Sequence, residues 1–90
     1  MAVEGYRVVI RNLTSDILKL VAKRNEVAEK LSVIKLKHGK CIEDKEQEAK
    51  VIESVVSECA ALGIPRHDAE ILANALMEVS KNAQKRHLDS

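Results

Sequence analysis

Apolar residues recur along the first third of the chain at alternating steps of three and four: Val3, Tyr6, Ile10, Leu13, Ile17, Leu20, Val27, Leu31 and Ile34. Arg24 and His38 fill the polar places of the same series. This spacing predicts one helix from about 4 to 38 with a coiled-coil-like seam. The β-branched run around Tyr6 to Ile10 also reads as a short strand, with Thr14, Ser15 or Asp16 capping a later helix. The seam keeps its phase through residues 10 to 17, which favours the single helix. Asp44 with Gln47 three residues on makes an N-cap pair, and Glu46 adds negative charge to the first turn. Ile52, Val55, Cys59 and Leu62 follow as a stripe, with Glu48 one step before it and Gly63 as the stop. They predict a second helix over about 44 to 62. Pro65 suits an early helical position. Ala69, Leu72, Leu76, Val79 and Ala83 then give a third helix over about 66 to 86, with Ser80 and Gln84 beside its apolar face. The expected fold is all-α, with one long N-terminal helix and two shorter ones.

The first helix would be roughly 50 Å long, whereas a compact domain of this size has a radius of gyration of about 12 to 13 Å. The helix overshoots any monomer the chain could build, so an intertwined homodimer is expected. Composition points the same way. The 90 residues make one domain, 1–90, and 46% are hydrophobic, yet Tyr6 is the only aromatic residue. A core without aromatics is thin, and oligomerisation is one remedy. The net charge of +1 gives no field for nucleic acid or an anionic membrane, so neither is an expected partner. Cys41 and Cys59 form no CxxC pair and read as free thiols. Without a signal-peptide or bilayer-length apolar run, a soluble cytoplasmic protein is expected. His38, His67 and His87 share no ligand spacing, so no metal is expected. No glycine-rich phosphate loop is present, and Ser80 has no histidine on its face to act as a base.

The informative residues are polar ones in apolar seams. A guanidinium at Arg24 is costly to bury unless it meets anions. Pairing with a seam carboxylate such as Glu48 accounts for it as well as ligand binding does. Lys35 follows Arg24 by 11 residues, nearly three turns, and shares its face. By itself it reads as a solvated lysine. Glu48 could be the rim of the second stripe, and Ser80 and Gln84 ordinary surface residues. As a set they place polar groups on all three helices where the seams would converge.

In that arrangement the chain resembles the all-helical chorismate mutases of the small intertwined-dimer class. The matching residues are Arg7, Arg24 and Lys35 in KRNEVAEKLSVIK, Asp44 and Glu48 in EDKEQE, and Ser80 and Gln84 in EVSKNAQ. They align without gaps from Arg7 to Gln84. One position departs: many relatives carry an arginine where this chain has Gln47, which donates a hydrogen bond but no charge. The resemblance implies a monofunctional chorismate mutase at the branch toward phenylalanine and tyrosine, without a fused dehydratase or dehydrogenase domain. The rearrangement of chorismate to prephenate is unimolecular and pericyclic, so no cofactor or nucleophile is implied. It further implies that Arg24 and an Arg7 from the other chain clamp the two substrate carboxylates. Lys35 and Gln84 would donate to the breaking ether oxygen, Glu48 with Asp44 would hold the ring hydroxyl, and Ser80 would add a carboxylate contact. Two alternatives stand beside this reading: an isochorismate-pyruvate lyase-like enzyme, and a non-enzymatic helical dimerisation module.

Overall fold

The structure, a computed structural model, describes residues 2–89. It contains α1 (Ala2–Lys37), α2 (Lys45–Ala61) and α3 (Arg66–Asp89), with no strand among the described residues. α1 runs unbroken through residues 6 to 10, so the strand reading of that run is set aside.

Local chemistry sets the helix ends. α1 and α2 terminate in the same way, at Gly39 (φ 68°) and Gly63 (φ 79°). Gly39 N–H donates to the Leu36 carbonyl at 3.1 Å and Lys40 N–H to that of Lys35 at 2.8 Å. Gly63 N–H donates to Ala60 at 3.2 Å and Ile64 N–H to Cys59 at 2.8 Å. This paired closure is the Schellman motif, which needs the left-handed backbone that glycine adopts without penalty. α2 opens on Asp44, whose carboxylate accepts from Gln47 N–H at 3.1 Å. Pro65 stands just outside α3, and its carbonyl accepts the first helical bond, from Ala69 N–H at 3.0 Å.

α1 and α2 both pack on α3 rather than on each other. The core between them is small-sided: Cys59, Ala69, Ala73 and Ala83, with Ser32, Ser80 and Gln84 buried among them. Ser80 and Gln84 thus lie on the packed face of α3, not beside it. Leu72 and Val79, expected on that face, are exposed. A column of small residues lets neighbouring backbones approach, and the larger side chains are turned outward.

α1 departs from expectation in the same sense. The positions it turns toward α3 are Val21, Asn25, Ala28 and the fully buried Ser32. This stripe is displaced by one residue, about 100° around the helix, from Arg24, Val27 and Leu31 of the apolar seam. The seam therefore faces away from the chain's own core. Its members from Tyr6 to Ile34 are each 45% to 71% exposed, apart from the polar Arg24. The radius of gyration is 16.0 Å and the long axis 56 Å, against about 12 Å for a compact chain of this length. The accessible surface is 7115 Å², where a 10.0 kDa monomer ordinarily exposes roughly 5,200 Å².

Candidate active site

The C-terminal half of α1, the connection to α2, the first turns of α2 and the middle of α3 enclose a cleft of about 100 Å³. Six residues singled out in the sequence line it: Arg24, Lys35, Asp44, Gln47, Glu48 and Ser80. Ile42, Val51, Met77 and Lys81 complete the lining.

Arg24 is anchored across the helix interface and not by Glu48. Its Nη1 donates to the Leu76 carbonyl at 3.1 Å and to Ser80 Oγ. Ser80 Oγ in turn donates to Asn25 Oδ1 at 3.4 Å. Both bonds of the guanidinium use Nη1, so Nη2 and Nε remain for a carboxylate, which a planar fork binds in bidentate fashion. The Lys35 ammonium reaches the Ile42 carbonyl at 3.5 Å. That contact leaves most of its donor capacity open. Asp44 spends one oxygen on capping α2, which fixes the carboxylate at the cleft mouth.

Glu48 and Lys81, which also line the cleft, pair with each other. Lys81 Nζ lies 3.5 Å from Glu48 Oε1 and 3.2 Å from Glu43 Oε1. The hydrogen bond to Glu43 is the chief reason the Lys81 pKa is raised. Burial opposes it, and the charges of Glu48 and Glu43 add to it. Glu43 is held below its usual carboxylate range, first by the Lys81 hydrogen bond and then by the charges of Lys81 and Lys45. Glu48 Oε2 is buried without a partner.

Two expected residues stand apart from the cleft. Gln84 is buried at the α1–α3 interface, where Nε2 donates to the Ala28 carbonyl at 3.0 Å. The amide keeps a second N–H. Arg7 is on the uncovered arm of α1, exposed and paired with Glu4 at 3.1 Å. Sequence reasoning missed Lys81 and Asn25. Each is a polar neighbour of a recognised residue, Ser80 and Arg24, and carries no signal that separates it from a solvated side chain.

Chemically, the cleft sets Arg24 and Lys35, which keep open donors, against Asp44 and Glu48, which suits a small anion that also carries a hydroxyl. Among the described residues, the one hydroxyl lining the cleft, on Ser80, is engaged by Arg24 and Asn25. The fold and the cleft are those of an all-helical protein with a charged binding site for a small molecule. The chain matches the chorismate mutase type II family over residues 6–85 and belongs to that family. It is thus an isomerase-type enzyme with chorismate as substrate. No curated protein and no solved structure matches the chain significantly.

Proposed function

We propose that two copies of this chain form an intertwined two-fold homodimer, each of whose two sites converts chorismate to prephenate with groups from both chains. The observation that carries this reading is the contrast between a cleft assembled from six of the expected residues and an Arg7 exposed on an uncovered apolar arm. Arg7 and Arg24 are 17 positions apart, roughly 25 Å along the helix axis. One chain cannot bring both to a ligand this small, whereas a partner helix laid along the α1 seam can. The surface in excess of a compact monomer, roughly 1,900 Å² per chain on the size scaling, is what an obligate dimer interface removes. A cleft of about 100 Å³ is also below the roughly 300 Å³ at which ligand pockets begin, as suits a site that a second chain completes.

In this site Arg24 and Arg7 of the partner subunit clamp the two carboxylates, with Ser80 adding a contact. The clamp folds the enolpyruvyl side chain over the ring and converts binding energy into orientation. As the C–O bond breaks and the new C–C bond forms, negative charge gathers on the ether oxygen. Lys35 and Gln84 donate to it, and a preorganised donor helps most where charge develops. Glu48 and Asp44 accept from the ring hydroxyl, and Gln47 offers a neutral donor at the cleft mouth. No proton changes hands. The whole chain, 1–90, acts as one domain. Its free thiols, exposed Cys41 and buried Cys59, suit the reducing cytoplasm, on the branch toward phenylalanine and tyrosine.

The test is product analysis with purified protein in EDTA. Prephenate formed from chorismate is the expected result. Pyruvate released from isochorismate would point to the lyase, and turnover of neither substrate to a helical dimerisation module.

A further inference from the structure

The two oxygens of Glu48 have unlike surroundings. Oε1 accepts from Lys81 Nζ at 3.5 Å. Oε2 is buried with no hydrogen-bond partner. Glu48 lines the cleft, and so does Lys81. Lys81 is held from its other side by Glu43 Oε1 at 3.2 Å, a residue of the connection between α1 and α2. Its ammonium therefore ties α3 to both that connection and α2. With two carboxylates on its three hydrogens, Lys81 has little left for a ligand.

We propose that Lys81 is a positioning residue of this enzyme: by holding Glu48 through Oε1, it fixes the orientation of the carboxylate that accepts from the ring hydroxyl of the substrate. The inference rests on the role proposed above for Glu48. A carboxylate held at one oxygen keeps acceptor capacity for a hydroxyl and offers it in a fixed direction. Such an anchor matters here because the substrate brings two negative charges of its own into the cleft. The other charged groups nearby are Arg24, Lys35 and Asp44 in the cleft, and Lys45 and Lys85 near Glu43. None of these is paired with Glu48, so Lys81 is the cation that fixes its geometry.

A double-mutant cycle tests this. We would measure kcat and KM for chorismate in the wild type, Lys81→Met, Lys81→Arg, Glu48→Gln and the Lys81→Met/Glu48→Gln pair, with helical content checked by circular dichroism. Lys81→Met is expected to lower kcat/KM about tenfold or more, and Lys81→Arg to restore most of it. In the Glu48→Gln background, the Lys81→Met change should cost less than about twofold, because a residue acting through another has nothing left to act on. Should Lys81→Met lose its helical signal, Lys81→Gln takes its place in the same cycle. Losses that simply multiply would overturn the inference, because Lys81 would then act on its own. An active Lys81→Met beside an impaired Glu48→Gln would overturn it too while leaving the role of Glu48 intact. A fully active Glu48→Gln would remove that role, and the inference with it.

Discussion

Arg24 shows how a long side chain at an accessible position acquires a fixed direction. Its Nη1 is held by the Leu76 carbonyl and Ser80 Oγ, so the rest of the fork is set before a ligand arrives. Lys35 and Gln84 differ from it in what they are proposed to meet, which is charge present mainly in the transition state. Lys35→Ala and Gln84→Ala are therefore expected to lower kcat far more than they raise KM, by about 10²- to 10³-fold each. Near-normal kcat in both variants would contradict the mechanism. The pH dependence follows from Glu43 and Lys81. The Glu43 pKa is depressed from 4.5, so its stabilisation is complete above that ordinary value and lost as pH falls through the lower folded one. The Lys81 pKa is raised from 10.5, so its stabilisation is complete below that value and lost as pH rises through the higher folded one. The Glu43–Lys81 pair is therefore intact from pH 6 to 8, and kcat should vary little across that range. A bell-shaped profile centred near neutrality would reveal a titrating group outside this account. Arg24 was legible as a polar intrusion in an apolar series, and Lys35 through the face it shares with Arg24. Lys81 was not, because its importance comes from Glu43 and Glu48, 38 and 33 residues away.

At the scale of the element, the three helices were legible because their signals are local. The three-and-four spacing, the Asp44 cap and the glycine at 63 each act within a turn or two. The Gly63 turn makes a direct prediction. An L-residue in the left-handed region costs roughly 1 to 2 kcal/mol, so Gly63→Ala should lower unfolding stability by about that much in a urea titration. An unchanged midpoint would mean that the turn adopts another backbone conformation at little cost. The sequence did not reveal which stripe of α1 meets α3. Val21, Asn25, Ala28 and Ser32 form no hydrophobic period, and small residues packed at close range leave no mark on a pattern of apolar positions. Ser80 and Gln84 were placed beside the packed face for the same reason. Their burial depends on what α1 offers at Asn25 and Ala28.

For the whole molecule, length alone carried the central expectation. A helix of 36 residues spans roughly 54 Å, and the chain that contains it is 56 Å long. Among the described residues no second layer covers the Tyr6 to Ile34 seam, which is what the two-fold assembly is proposed to do. Its strongest consequence is that each site draws Arg24 from one chain and Arg7 from the other. Complementation measures this. Arg7→Ala and Arg24→Ala homodimers should each be nearly inactive. When the two variants are unfolded together and refolded as an equal mixture, random pairing makes about half of the dimers mixed, by the symmetry of a two-fold pair. Each mixed dimer has one site lacking both arginines and one site with both intact. The account predicts that about a quarter of all sites regain wild-type chorismate mutase activity. No recovery after subunit exchange has been verified would contradict it, since both arginines would then come from the same chain.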